Sequence, residues 1–249
     1  REGFGLIAVS YDSPDVLRAF SERHSITFPL VSDPGSKVIE AWGLRNEAAR
    51  GREAGIPHPG TFVIDRDLTV VERAFESAYQ ERSTAAGILS KFGLARTGTP
   101  AAEVAGAQIS VRTSVSDGTA APGQKVTLIV DVEPGPKMHV YAPGQAGYIP
   151  IAVTLDPMAE GKAAAPVFPA PGSYYFAPLK ETVKVYDRPT RITIDLTLGL
   201  SPEVRRRATA RETLVVTGSL EYQACDDAVC YRSEILPLTW SLALQPFVR

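Results

Sequence analysis

Tyr222-Gln223-Ala224-Cys225-Asp226-Asp227-Ala228-Val229-Cys230-Tyr231 holds both cysteines of this 249-residue chain. One apolar run, Leu214 to Leu220, leads into the stretch, and another, Ile235 to Leu244, leaves it. Two strand-like runs joined by a short polar tip read as an antiparallel hairpin, with Asp226-Asp227 supplying turn chemistry. Cysteines flanking such a tip can bring their Cα atoms within the roughly 4.4–6.8 Å that a disulfide requires.

The same grammar extends outward from the hairpin. Val126 to Val132, Ile151 to Leu155, Arg191 to Leu198 and Glu212 to Leu220 also read as strands. Pro122-Gly123, Pro134-Gly135-Pro136, Pro143-Gly144 and the Pro169 to Gly172 segment punctuate them. Short strands with such spacing predict an all-β sandwich. The exception is Ser201 to Arg211, where Pro202 suits the first turn of a short basic helix.

The first hundred residues follow another pattern. Leu6-Ile7-Ala8-Val9 reads as a buried strand, and Ser13-Pro14 opens a helix that places Val16, Leu17, Phe20 and His24 on one face. A second helix is predicted over Gly35 to Trp42, with Val38, Ile39 and Trp42 inward and Gly43 as its stop. Strands Thr61 to Asp65 and Thr69 to Phe75 follow. A last helix begins near Ser83, buries Ile88, Leu89 and Phe92, and ends at Gly93. This alternation is α/β. Arg96 to Gly106 turns small and unperiodic, as linkers do. The chain is therefore expected to be multidomain: an α/β domain over residues 1–95, a linker over 96–106, and a sandwich over 107–249.

Bulk properties agree with two folded domains. The sequence is 44% hydrophobic and 22% charged, ordinary values for a folded, soluble protein. A formal net charge of −2 gives no electrostatic pull toward nucleic acid or an anionic membrane. No run approaches the 18 or so apolar residues of a spanning helix, so direct membrane insertion is not expected. The sequence opens at Arg1 without an initiator Met or a signal-peptide pattern, as a processed product or a fragment would.

Three segments of the first domain carry a resemblance: Gly5-Leu-Ile-Ala-Val-Ser-Tyr-Asp-Ser13, Phe28-Pro-Leu-Val-Ser-Asp33 and Gly55-Ile-Pro-His-Pro-Gly-Thr-Phe-Val-Ile-Asp65. Together they resemble the peroxiredoxin (AhpC/TSA) group of thioredoxin-like proteins. The resemblance implies a thioredoxin-like fold and a cis bond at Pro59, where the group holds a proline beside its active cysteine. It also exposes a departure. The group's cysteine-bearing helix and the strand before it have no counterpart here, and residues 1–100 contain no cysteine. As given, this is a thioredoxin-like domain shortened at its N-terminal side and not a competent peroxidase. A sheet without its central strand would leave backbone groups unpaired, which favours an upstream segment over a degenerate scaffold. His24, Asp65-x-Asp67 and the Arg45 to Arg52 cluster read as a helix-face residue, a turn and a solvated loop.

For the two cysteines the residues themselves leave three readings. A structural staple would close a ring worth only about 2 kcal/mol by chain entropy, across a hairpin that already holds its strands together. A zinc site would need two further ligands, and His139 is the sole histidine of this half. A redox-active pair is the third reading.

The hairpin resembles the N-terminal domain of the thiol:disulfide interchange protein DsbD. The resemblance implies that Cys225 and Cys230 form an active pair on an immunoglobulin-like sandwich, flanked by Tyr222, Gln223 and Tyr231. Met138-His-Val-Tyr-Ala-Pro143 is similar to the strand that sets aromatic side chains beside the pair, which nominates His139 and Tyr141. Gly172-Ser-Tyr-Tyr-Phe-Ala-Pro178 resembles the cap over the pair, with Tyr175 and Phe176 at its tip and Phe176 as the lid. Its partner would be a thioredoxin-like protein or domain, its location the bacterial periplasm or another exported compartment, and it needs no cofactor or metal. Asp226 and Asp227 should raise the thiol pKa values by like-charge repulsion, giving a thiolate-poor shuttle that a docking partner activates. The alternative is a non-enzymatic sandwich that binds a protein or envelope component through the Pro166 to Pro178 loop, its disulfide purely structural. The partner's identity, the direction of electron flow and the oligomeric state stay open at this point.

Overall fold

The computed structural model describes residues 4–51, 56–75, 82–92, 102–176 and 180–246. Its contacts divide the chain into two compact units, Arg1–Arg82 and Ser83–Arg249.

The first unit runs β1 (Ala8–Ser10), α1 (Pro14–His24), β2 (Leu30–Ser32), α2 (Lys37–Ala41), β3 (Gly60–Ile64) and β4 (Val70–Phe75). It is the α/β, thioredoxin-like part of the chain. β1 and β2 pair in parallel, whereas β3 and β4 form a separate antiparallel ladder. Ser13 caps α1 by accepting from Val16 N, with Pro14 in the first turn, as the sequence predicts. α2 is capped differently: the buried Asp33 carboxylate accepts from the backbone N–H groups of Lys37, Val38 and Ile39 at 2.9–3.0 Å, and the helix is shorter than predicted. Gly43 ends that turn with φ 67°, a left-handed value that costs glycine little.

Two expectations for this unit fail. Leu17 and Ile39 are buried, but Val38 and Trp42, expected to face inward, are exposed, as are Val16 and Phe20; α1 packs against the three-residue strand β2, which covers little of its face. His24 is exposed as well, its ring 4.5 Å from that of Phe20. The His58–Pro59 bond is trans, since no cis bond occurs among the described residues. Pro57 bridges Arg45 and His58 N donates to Leu44 O at 2.7 Å. That bridge feeds the chain into β3, and the trans form, lower by about 0.5–1 kcal/mol, accommodates the path.

The second unit is the β-rich, immunoglobulin-like part. It opens within the two-residue strand β5 (Arg82–Ser83), followed by α3 (Ala85–Ser90), β6 (Ala102–Ala105), β7 (Ile109–Val115), β8 (Thr119–Ala120), β9 (Gln124–Pro134), β10 (His139–Tyr141), β11 (Ala152–Leu155), β12 (Gly161–Ala163), β13 (Gly172–Phe176) and β14 (Glu181–Tyr186). After these come β15 (Thr190–Leu198), α4 (Pro202–Thr209), β16 (Thr213–Tyr222), β17 (Ala224–Cys225) and β18 (Glu234–Leu244). One sheet is ordered β12-β15-β9-β7-β6, with β5 beside β9, and a second is ordered β11-β16-β18-β8. Val126, Leu128, Val130 and Val132 of β9 meet alternate residues of β16 and β18 in one core, which includes Leu220, Leu238 and Leu242. Each such aliphatic side chain contributes about 1.5–3 kcal/mol on burial. Trp240 ties the layers by donating from Nε1 to Ile129 O at 3.0 Å.

β9 is buried on both faces from Val126 to Val130, and α3 explains why. This helix covers the outer side of β9, where Thr127 and Ile129 are buried. Its cap Thr84 bonds Asp117 at 2.6 Å, and Lys91 beyond its end pairs with Asp195 at 3.1 Å. The sequence assigns this helix to the α/β part; its packing assigns it to the β-rich unit. It begins close to Ser83, as the sequence predicts, with Thr84 as its cap, and its predicted end at Gly93 lies outside the described residues. The expected linker also differs: Ala102–Ala105 is a strand paired with β7, while 96–101 lie outside the described residues. Ser201 and Pro202 open α4 as predicted. No helix among the described residues is long and apolar enough to cross a membrane.

A third sheet, β13-β14-β10-β17, positions the cysteine hairpin. Strand alternation gives it two faces. Val140, Tyr186 and Ala224 point into the main core. Tyr141, Val183, Val185 and Cys225 form a second cluster on the opposite face, with Tyr148 and Tyr174 packed against it.

Candidate functional site

The hairpin tip is built by Asp226. Its Oδ1 accepts from the N–H groups of Ala228 and Val229 at 2.8 and 2.7 Å, and its Oδ2 accepts from Tyr231 Oη at 3.0 Å. These bonds hold the Asp226 carboxyl below the usual carboxylate range. Backbone bonds flank the cysteines on both sides, Asp226 N to Val229 O at 3.0 Å and Tyr231 N to Ala224 O at 2.9 Å. Cys225 and Cys230 therefore occupy a non-hydrogen-bonded pair, the position at which antiparallel strands come closest. Their Cα atoms are 4.1 Å apart and a disulfide joins them.

The two sulfur-bearing residues differ in access. Cys225 is 1% exposed and lies in the floor of the cluster, whereas Cys230 belongs to the exposed outer strand of the hairpin. Tyr141 Oη is 3.6 Å from Cys230 Sγ. The Tyr141 ring is stacked on that of Tyr148 at 3.9 Å and 17°, and Tyr148 Oη donates to Glu181. Burial first, and the neighbouring Tyr148 second, push the Tyr141 hydroxyl well above its ordinary value, so it stays a donor at any neutral pH.

His139 stands directly opposite Cys225 in the β10–β17 register. Such cross-strand side chains share a face and lie about 5 Å apart at Cβ. Only 3% of His139 is exposed. Tyr174 covers it at 4.5 Å between ring centroids, and Tyr141 meets it edge-on at 5.5 Å. The Tyr174 hydroxyl in turn donates to Asp227 Oδ1 at 2.5 Å. Burial lowers the His139 pKa against the opposing pull of Asp227, Asp187 and Asp226.

The other nominated residues have varied placements. Gln223 fastens the hairpin base: its Nε2 donates to Tyr231 O at 3.1 Å and its Oε1 accepts from Ile149 N at 3.3 Å. Tyr231 is tied to Asp226, as above. Tyr222 points the other way, fully buried in the main core, where its hydroxyl donates to Glu234. Tyr175 is 60% exposed on the face of β13 away from the cluster, while Phe176 is half-buried on the same face as Tyr174. The ring above His139 is thus Tyr174, with residues 177–179 of the expected cap outside the described set. Alternation within Gly172–Phe176 could have singled out Tyr174. Tyr148 carried no such signal. It is returned to Tyr141 by a loop in which Gly144 and Gly147 adopt φ of 82° and 84° and Ile151 N donates to Tyr141 O at 2.8 Å.

Residues 1–73 match the AhpC/TSA family model, and residues 110–235 match the model described as thiol:disulfide interchange protein DsbD, N-terminal. Over 62 residues the chain is 39% identical to alkyl hydroperoxide reductase E of Mycobacterium tuberculosis, covering 24% of this chain and 37% of that protein. Over 80 residues it is 28% identical to the chloroplastic peroxiredoxin Q of Sedum lineare, covering 32% and 40% of the two chains. The chain spans less than half the length of the curated relatives it matches. Among solved structures it is similar to the N-terminal periplasmic domain of ScsB from Proteus mirabilis at 17% identity, covering 61% of this chain and 53% of that one with a TM-score of 0.39.

Proposed function

The chain belongs to the family of the N-terminal part of the thiol:disulfide interchange protein DsbD, and from that premise we propose that it exchanges electrons through a reversible Cys225–Cys230 disulfide. Its partner is a dithiol of a thioredoxin-like protein or domain, and the compartment is the periplasm or another exported space. The observation that carries this reading is the unequal access of the two cysteines within one aromatic cluster.

A partner thiolate approaching from solvent reaches Cys230 Sγ first. A bond forms between the partner sulfur and Cys230 as the Cys225–Cys230 bond breaks, and its electron pair goes to Cys225. The partner's second thiolate then attacks the partner sulfur of the mixed disulfide, and Cys230 leaves as a thiolate. Tyr141 Oη, 3.6 Å away, is placed to donate to that leaving sulfur. Two electrons and two protons pass from partner to chain, and the reverse sequence returns them.

A purely structural disulfide is the competing reading. Asp226 and the flanking backbone bonds already close this hairpin, and a ring so small contributes only about 2 kcal/mol of chain entropy. Residues 1–100 of the α/β part contain no cysteine, so the exchange is assigned to the hairpin pair. Equilibration in thiol redox buffers, with alkylated sulfurs counted by mass, tests the proposal. A potential between about −270 and −120 mV is expected for an exchange couple. A value below about −300 mV marks a structural bridge and overturns it.

A further inference from the structure

We infer that His139 is the proton acceptor and donor for the buried sulfur of Cys225 during exchange. This rests on the exchange reading above and adds to it the group that handles the proton on the concealed side of the disulfide.

Attack at Cys230 deposits the electron pair of the broken bond on Cys225, which is 1% exposed. A bare thiolate there is costly unless a proton or a cation meets it. Directly across the β10–β17 pair stands His139, itself 3% exposed. Among the described residues, the titratable groups that face the imidazole are Tyr141 from its own strand, Tyr174 from β13, Cys225 from β17, Asp226 and Asp227 from the hairpin tip, and Asp187 from beyond β14. None of these is a lysine or arginine. Both tyrosines are held in the hydroxyl form, Tyr141 by burial and Tyr174 by its bond to Asp227. Among these groups the imidazole is the one that can become a cation, and three aspartates favour its protonation.

The oxidising direction begins from the mixed disulfide between Cys230 and the partner. Neutral His139 takes the proton of Cys225 Sγ–H, and the resulting thiolate attacks Cys230 Sγ in its mixed disulfide with the partner. The Cys225–Cys230 bond forms, the partner sulfur leaves with the electron pair of the broken bond, and His139 returns its proton to that thiolate or to solvent. In the reducing direction the same transfers run backward, and the proton of the reduced pair rests on His139, as an imidazolium beside the Cys225 thiolate.

The test uses the full chain and two readouts. Histidine proton resonances, assigned with H139Q, are titrated in the oxidised protein and after reduction by a phosphine. His139 should hold its proton about tenfold more tightly in the reduced protein, a shift of about one pKa unit. In parallel, dithiothreitol reduction of the disulfide is followed against pH; H139Q should slow it at least tenfold near neutrality and flatten the profile, whereas a folded H139Q within twofold of wild type overturns the inference. Should H139Q fail to fold, the wild-type titration decides alone, with chemical shifts of the three histidines assigned by through-bond correlation. An identical His139 titration in both redox states overturns the inference even if the disulfide has an exchange-range potential. A structural-range potential overturns the exchange reading instead, so the two failures are distinct.

Discussion

The hydroxyl of Tyr141 lies 3.6 Å from Cys230 Sγ, on a ring that Tyr148 stacks at 3.9 Å. Tyr141 is buried and Tyr148 is tied to Glu181, so the hydroxyl is fixed where a leaving thiolate would form. A donated hydrogen bond stabilises the thiolate over the thiol and lowers the thiol pKa. Tyr141→Phe removes the donor and keeps the ring. In the reduced variant the Cys230 pKa should rise by about one unit, leaving roughly tenfold less thiolate near neutrality. Alkylation rate against pH measures this, and an unchanged profile would mean that the 3.6 Å approach carries no functional weight.

Asp226 makes the fold of the tip depend on pH. Its carboxylate accepts two backbone N–H groups and the Tyr231 hydroxyl, so its folded pKa lies below the ordinary value. As pH falls through the usual Asp range near 3.9, the unfolded chain binds the proton first and stability declines. The contribution is thus present at neutral pH and lost in acid. Asp226→Ala should melt at a lower temperature than wild type at pH 7, and the gap should narrow by pH 3. Thermal melts of the oxidised proteins at the two pH values provide the check. A gap equally wide at both would show that the charge of Asp226 does not hold the turn.

The hairpin and its two cysteines were legible because a period-two pattern, a turn and a spaced pair lie together in ten residues. The strand alternation that buries Leu214, Val216 and Leu220 while exposing Val215 is legible for the same reason. The helix α3 was misassigned because Ile88 fits a helix face in either unit; what decides its place is Thr127 and Ile129 on the outer side of β9. Tyr148 and Glu181 could not be read at all, since their meeting depends on a glycine-turned loop and a strand 33 residues further on. The cis bond expected at Pro59 came from resemblance and not from local chemistry, and local chemistry carried the trans form.

The two aspartates of the tip have unequal tasks. Asp226 is committed to the turn, whereas Asp227 contacts the cluster through Tyr174. Like-charge repulsion predicts that removing the Asp227 charge lowers the thiol pKa values. Asp227→Asn should therefore shift the alkylation profile of the reduced protein to lower pH. The double variant with Asp226→Asn should shift it further if charge alone governs. Profiles superimposable on wild type in both variants would eliminate electrostatic restraint by the tip.

Tyr222 belongs to the sequence of the hairpin but not to its sulfur side. Fully buried, it faces the main core, and its hydroxyl donates to Glu234, which also accepts from Ala107 N at 3.0 Å. Gly106 has room for no side chain there, since an added Cβ would meet the Tyr222 hydroxyl. Tyr222 thus ties the turn between β6 and β7 to the start of β18, in the main core and not in the cluster that holds Cys225. Removing the hydroxyl leaves a half-buried carboxylate with one donor fewer, a loss of about 1–2 kcal/mol after allowing for solvent. Tyr222→Phe should therefore lower the urea midpoint while leaving dithiothreitol reduction of the disulfide within twofold of wild type. A slowed reduction at unchanged stability would return Tyr222 to the reacting side of the hairpin.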